Sequence, residues 1–422
     1  MRRIVDSGRG GALSPPWYAV ICHMDKEKKP FMPHNPNPVQ RQKNIPSFEN
    51  RKKICLVVGT RPEAIKMAPL ALAVREDPRF DLHLLATGQH REMLLEPLRF
   101  FGLEPEDFLN IMKKGQTLDY VTAAVLQETG NIFDRIRPDM VLVHGDTTTT
   151  FAAALAAFYR GIPLGHVEAG LRSGDLRQPF PEEMNRLLAD RICTLWFPPT
   201  PGARKNLLAE GCPGERITVT GNTVIDALLA ASERVERPEA PELANIPEDV
   251  PLVLLTAHRR ETWGEGLERI CRGVLELLRL EEHLRFLIPM HLNPVVRQVF
   301  MERLGNEERV ILCDPLRYPD FVWAMKRSRV ILSDSGGVQE EAPALCKPVL
   351  VMRNVTERPE AVEAGTALLV GTDPEKIVAE TRKLLEDPSY YRSFLAKNTK
   401  PFGDGSASAK ILEALHGYFY EA

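Results

Sequence analysis

Residues 140–186 read MVLVHGDTTTTFAAALAAFYRGIPLGHVEAGLRSGDLRQPFPEEMNR. Two short apolar runs, Met140–Val143 and Leu164–Val167, each lead to an acid, Asp146 and Glu168, and the alanine-rich stretch Thr150–Tyr159 between them suits a helix. A third acid, Glu182, stands in a proline-flanked segment, and His144 and His166 stand two residues before the first two acids. Strand, helix and strand at this spacing predict a parallel pair with a right-handed crossover. Carboxylates just past parallel strands gather at the edge where open α/β sheets bind ligands. A buried carboxylate costs free energy unless something uses it. Three acids at one edge therefore argue for proton handling or for stabilising a cation.

The same alternation extends in both directions. Upstream, Ile54–Val58 and Leu82–Ala86 read as strands, with helices opening near Pro62 and over Arg91–Phe101 and Leu118–Phe133. Downstream, Leu195–Phe197 and Ile217–Val219 complete a first sheet. The pattern then restarts with a helix over Val224–Val235, a Pro- and Glu-rich stretch over Arg237–Val250 that reads as a linker or surface loop, and six strand-like runs beginning at Leu252, Phe286, Val310, Val330, Pro348 and Ala367. Helices are predicted over Glu375–Glu386 and Ser406–Tyr418. The fold class is α/β, with two doubly wound, Rossmann-type parallel sheets facing across a cleft. The expected division is a disordered extension over 1–52, a first Rossmann-like unit over 53–220 carrying the acid/base residues, a second over 221–395, and a terminal helix over 396–422.

Composition narrows the partners. With 422 residues the chain suits two or three domains, and 54 basic against 57 acidic residues leave a net charge of −3. That balance favours neither nucleic acid nor membrane as a partner, and no apolar run approaches a membrane span. Seven cysteines, widely spaced and without C-x-x-C, fit thiols in a reducing cytoplasm.

Four further segments carry chemistry. In SDSGGVQEEAP (333–343) a strand ends at Ser333, the pair Gly336-Gly337 allows a tight turn, and a helix begins near Val338. Free N–H groups at a helix start favour an anion. Glu340 and Glu341, one turn on, are placed to accept hydrogen bonds from ribose hydroxyls. An ordinary turn capped by Ser335 is the plainer alternative. In GTRPEAIKMAPL (59–70), Arg61 and Lys66 flank a helix start, either to reach phosphates or as a solvated helix end. The segment TAHRRE (256–261) sets His258, Arg259 and Arg260 directly after a strand, with His291, Arg358 and the pair Gln89-His90 at comparable edges. There is no Asp-x-Asp, no H-E-x-x-H and no G-x-S-x-G. Phosphate charge is thus expected to be met by Arg, Lys and a helix start, with no metal and no cofactor.

Taken together, GTRPEAIKMAPL, TGQHREML (87–94), VLVHGDTTTT (141–150), GHVEAGLR (165–172), PEEMNR (181–186), TGNTVIDALL (220–229), HRRE (258–261), HLNP (291–294), SDSGGVQEEAP and TERPEAVEAGT (356–366) closely resemble the bacterial non-hydrolysing UDP-N-acetylglucosamine 2-epimerases, from about Lys53 to Leu415. The resemblance implies a GT-B-like fold whose last helix crosses back to the first unit. It implies interconversion of UDP-GlcNAc and UDP-ManNAc for cell-envelope polysaccharide, a homodimer, and a second UDP-GlcNAc as activator. It places acid/base candidates at Asp146, Glu168, Glu182 and His258. Nucleotide contacts fall on Arg61, Lys66, Ser335, Gly336, Gly337, Glu341 and Arg358, and regulatory contacts on Gln89 and Arg259. The competing readings are a hydrolysing 2-epimerase, an epimerase of a UDP-2,3-diacetamido sugar, a GT-B glycosyltransferase, and a UDP-sugar-binding regulator without catalysis.

Overall fold

In a computed structural model, which describes residues 51–88, 91–111, 113, 115–396 and 400–421, the chain forms two six-stranded parallel sheets. Residues 1–50, nearly all of the stretch read as an extension, lie outside the described residues, and Lys52 already pairs in the first strand. The first sheet contains β1 (Lys52–Val58), β2 (Phe80–Ala86), β3 (Asp107–Phe108), β4 (Met140–His144), β5 (Leu164–Val167) and β6 (Leu195–Phe197) in the order β3-β2-β1-β4-β5-β6. The second contains β7 (Leu252–Thr256), β8 (Arg285–Pro289), β9 (Val310–Cys313), β10 (Val330–Ser333), β11 (Val349–Val351) and β12 (Ala367–Leu369) in the order β12-β11-β10-β7-β8-β9. Counted from its own first strand, the second sheet repeats the order of the first. Each is doubly wound, with the order reversing beside its first strand, at β1/β4 and at β7/β10.

Burial explains why short apolar runs suffice. All five residues of β4 and of β7 are buried, as expected for strands covered by helices on both faces. Each fully buried aliphatic side chain contributes about 1.5–3 kcal/mol. Two expectations fail. Ile217–Val219 is not a strand; it runs beside β6 through one isolated bridge, Trp196 to Ile217, and a bond from the Thr218 N–H to Trp196 O at 3.0 Å, too short a pairing to extend the sheet. The stretch 237–250 carries a short helix, Pro241–Ala244, started by its own proline. A two-residue edge strand, β3, and a helix over Pro388–Ala396 were not anticipated.

The two sheets share packing. The helix Arg61–Glu76 lies against the helix Thr223–Arg234, and one buried cluster includes Leu56 and Met67 beside Ile225, Leu254 and Val349. The last helix, Ala407–Tyr420, crosses back onto the first sheet. Its Phe419 and Tyr420 rings stand 6.4 and 6.2 Å from Phe80, and Tyr420 Oη donates to Arg79 O at 3.0 Å. Asp226 fastens that crossing. Its carboxylate accepts the Ser408 N–H at 2.7 Å and the Ala407 N–H at 3.2 Å, capping a helix whose own Ser406 makes no side-chain cap. No helix among the described residues is long and apolar enough to cross a membrane.

Asp226→Ala strands these two buried N–H groups. The expected loss is about 1–3 kcal/mol of unfolding free energy, read as a lowered midpoint in urea; an unchanged midpoint removes Asp226 from this role.

Candidate active site between the two sheets

Both reversals in strand order turn their carboxyl ends toward the same gap. From the first sheet come Gly59–Arg61 after β1 and Gly145–Asp146 after β4; from the second come Ala257–Arg259 after β7 and Asp334–Gly337 after β10. The chain must turn sharply at these points. Gly59 is obligatory, since a Cβ there would lie 2.2 Å from Thr149 Oγ1. Glu63 then staples the β1 and β4 ends together. Its Oε2 accepts the Gly59 and Thr60 N–H groups at 2.6 and 2.8 Å, and its Oε1 accepts the Thr147 and Thr150 hydroxyls at 2.6 and 3.2 Å.

Glu168 follows β5 with φ +66°. That left-handed conformation costs a non-glycine residue roughly 1–2 kcal/mol, and it turns the carboxylate into the gap. Lys66 Nζ donates to Glu168 Oε2 at 2.6 Å, and Asn222 Nδ2 donates to the same oxygen at 2.9 Å. The same Asn222 amide donates to Glu340 Oε2 at 2.9 Å, and Glu340 Oε1 accepts from Arg358 Nε. A relay of alternating donors and acceptors therefore runs from the first sheet to the second through Lys66, Glu168, Asn222, Glu340 and Arg358. Burial opposes charge on Glu168, but Lys66 and His144 outweigh it and hold the carboxyl well below its usual range. Burial also pushes Lys66 down, yet Glu168 and Glu340 hold the ammonium above its ordinary value.

Asp146 sits on the neighbouring strand end. Arg186 Nη2 donates to its Oδ2, and Asn185 Nδ2 donates to its backbone oxygen at 2.9 Å. Both partners lie in the helix Glu182–Ile192, one turn on from Glu182. Glu182 itself is half-buried, and its side chain makes no hydrogen bond or ion pair with another described residue. Its neighbour Glu183 is buried and spent on structure, accepting the Ser173 and Gly174 N–H groups at 2.9 and 3.2 Å. Beneath both acids His166 donates from Nε2 to Gly145 O at 2.7 Å and meets Asp190 through Nδ1 at 2.7 Å, while Asp190 also accepts the Gly170 N–H at 3.1 Å. One buried pair thus pins backbone next to Asp146 and two residues past Glu168.

On the opposite wall Asp334 organises the loop after β7. Its Oδ2 accepts the His258 and Arg259 N–H groups, each at 2.9 Å, and its Oδ1 lies 3.1 Å from His258 Nδ1. Burial raises the Asp334 pKa, but the His258 contact and these amide bonds hold it below its ordinary value. His258 is partly exposed and stacks on His291, with ring centroids 5.9 Å apart. The helix Gly336–Ala344 begins here. Ser335 precedes it without a side-chain cap bond, so its hydroxyl and the first-turn N–H groups are open to an anion. A Cβ on Gly336 would lie 3.7 Å from Arg259 Nη2 and 3.8 Å from Arg358 Nη2, so two guanidinium groups converge on that helix start.

A cleft of about 390 Å³ separates the walls, lined on its polar side by Arg61, Lys66, His258, Ser335, Gly337 and Glu341. Its apolar side includes Val224, Leu316, Tyr318, Phe321 and Val338. Arg61 also bridges the sheets, donating to Leu316 O at 3.1 Å. Of the predicted residues, these six and His291 meet in the cleft; Arg259, Gly336 and Arg358 stand together at its edge. Asp146, Glu168 and Glu182 do not line this cleft, and Glu168 meets it through Lys66. Gln89 lies outside the described residues. The two glutamates read as equivalent part company: Glu340 is tied to Arg358 and Asn222, and Glu341 faces the cleft. Burial and then Glu340 push Glu341 up to about 8, against the pull of Lys66. Asn222, Asp334 and Arg186 were not singled out. Asn222 reads as a helix cap, which it also is, accepting the Val224 N–H at 3.0 Å.

The chain as a whole is similar to known proteins. The family model described as UDP-N-acetylglucosamine 2-epimerase matches residues 72–416. The UDP-N-acetylglucosamine 2-epimerase of Salmonella typhimurium is 49% identical over 373 residues, which are 87% of this chain and 99% of that protein. That of Bacillus subtilis is 48% identical over 369 residues, 87% of this chain and 96% of the relative. The crystal structure of UDP-GlcNAc 2-epimerase from Neisseria meningitidis, bound to UDP-GlcNAc, superposes with a TM-score of 0.78 at 45% identity, covering 86% of this chain and 99% of that one. By matched length, identity and fold, the chain belongs to the UDP-N-acetylglucosamine 2-epimerase family.

Proposed function

We propose that this chain is a UDP-GlcNAc 2-epimerase of the non-hydrolysing kind, interconverting UDP-GlcNAc and UDP-ManNAc. The observation that carries the reading is Glu168, a strained, ionised carboxylate held by Lys66 and Asn222 beside a cleft whose far wall is an open helix start flanked by Arg259 and Arg358. The sugar's C2 hydrogen has no carbonyl beside it and is not acidic. If the anomeric C–O bond to UDP breaks first, C1 gains oxocarbenium character and the C2 hydrogen becomes acidic. A carboxylate removes it as a proton, and the C–H electron pair becomes the C1–C2 double bond of a 2-acetamidoglucal. Protonation on the other face with return of UDP gives the epimer.

Each step has residues to serve it. The helix start at Ser335–Gly337, with Arg61, Arg358 and Lys66, takes the leaving diphosphate. The apolar wall at Leu316, Tyr318 and Phe321 suits a pyrimidine, and Glu341 suits the ribose hydroxyls. Asp146, Glu168 and Glu182 share cation stabilisation and proton transfer, with His258 beside the phosphates. Arg259 and Gln89 are assigned to a second, activating UDP-GlcNAc. The product serves cell-envelope polysaccharide, in the cytoplasm, from a homodimer.

Incubation with UDP-GlcNAc alone separates this reading from its rivals. Epimer without free sugar supports it; UDP with free ManNAc makes the enzyme a hydrolase; unchanged nucleotide points to a transferase or a regulator. Asp146→Asn, Glu168→Gln and Glu182→Gln are each expected to lower kcat by about 100-fold or more, and a near-normal kcat in one of them dismisses that acid. In D2O the product should carry deuterium at C2 by mass spectrometry, and unlabelled product rules out the glycal route.

Glu341 adds a pH signature. With its pKa at about 8 in the free protein, it is mostly protonated at neutral pH. Ribose hydroxyls donating to the carboxylate lower that value on binding, so UDP affinity rises with pH until about 8 and a proton is released. Buffer-dependent binding enthalpies at pH 7 should show this release. They should show less of it in Glu341→Gln, together with an affinity lower by about tenfold; equal release in both proteins places the ribose elsewhere.

A further inference from the structure

His144 and His166 each stand two residues before an acid on adjacent strands, where the register pairs His144 with Val167 and His166 with Val143, and only one ring is satisfied. His166 is bonded at both nitrogens. His144 is 3% exposed, and neither of its ring nitrogens has a hydrogen-bond partner among the described residues. Its Nε2 stands 3.6 Å from Glu168 Oε2, just outside hydrogen-bond range. A buried polar atom without a partner has lost its water and gained nothing, and native proteins hold few of them. Leucine would fill the same space at lower cost. Bonds used in catalysis are often long in the free enzyme and shorten around the reacting substrate.

We propose that His144 is a positioning residue for Glu168, donating from Nε2–H to Oε2 when substrate is bound, so that Oε1 is the oxygen presented to the sugar. The inference rests on the reading of Glu168 as a proton-transfer group. Oε2 already receives Lys66 at 2.6 Å and Asn222 at 2.9 Å, whereas Oε1 accepts no hydrogen bond from a described residue. A third donor fixes the carboxylate plane and leaves the Oε1 lone pair as the proton acceptor. When the C2 proton lands on Oε1, the negative charge that all three donors favour is lost, which makes Glu168 a ready acid for the reverse step. The other charged groups facing this pair are Lys66, Glu340 through Asn222, Arg358 beyond Glu340, and Asp146 two residues along the chain. None of them is altered by substituting His144.

The test is the pH profile of kcat in His144→Leu and His144→Gln, with UDP affinity by calorimetry as the check on the pocket. Losing a donor to a carboxylate raises its pKa, so the acidic limb of the Leu variant moves up by about one pH unit and kcat at pH 7 falls about tenfold. KM and UDP affinity stay within about twofold, since His144 is placed on the acid and not on the nucleotide. Glutamine restores an N–H donor and should recover most of the rate and the wild-type limb. An unmoved limb in the Leu variant, or a Gln variant no better than Leu, overturns the proposal. If His144→Leu fails to bind UDP, His144→Asn, whose amide is too short to reach Oε2, replaces it with the same expected shift. Full activity in Glu168→Gln would dismiss the parent reading and this inference with it. An inactive Glu168→Gln beside a normal His144→Leu profile would dismiss this inference alone.

Discussion

Charges removed from water must find partners, and here that requirement joins the two halves of the chain. Lys66, Glu168, Asn222, Glu340 and Arg358 form one line of alternating donors and acceptors between the sheets. Removing one partner from a buried ion pair typically destabilises by about 3–5 kcal/mol, so each member holds the next. The neutral Asn222 is the hinge of this line, because one amide serves a carboxylate from each sheet. The relay also keeps Glu168 ionised without exposing it, a state that a lone buried carboxylate would abandon by taking up a proton.

Twin topology places these groups opposite each other. Each sheet reverses direction beside its first strand, and each reversal leaves a crevice at the carboxyl ends of the strands. The first sheet fills its crevice with acids, the second with a helix start and guanidinium groups. A sugar nucleotide has the complementary polarity, anionic in its diphosphate and cationic at C1 when the glycosidic bond breaks.

Much of this was legible from residue order, for identifiable reasons. Fully buried parallel strands must be continuous apolar runs, so β4, β5, β7 and β10 were plain within a residue or two. Ile217–Val219 has the same composition as a strand and lies beside β6, but it makes only a single bridge to that three-residue edge, and no local pattern reveals that. The acids after β4 and β5 stood out because a carboxylate behind an apolar run is unusual. Glu340 and Glu341 could not be told apart, since adjacent residues on a helix point about 100° apart and only the tertiary neighbours decide which faces the cleft. Asn222 was not singled out: it caps a helix, and its second use depends on Glu168 and Glu340, 54 and 118 residues away. Glu182 and Glu183 pose the same ambiguity, resolved by the loop amides that Glu183 accepts.

The crossing of the last helix has one more consequence. Lys52, at the start of β1, lies with its ammonium 5.7 Å from the Phe419 ring, and Tyr420 bonds beside β2. The beginning of the first strand and the end of the final helix are therefore neighbours. With residues 1–50 left out, a short linker between them and new ends opened in an exposed loop such as that around Glu248 give a circular permutant that keeps every strand pairing described above.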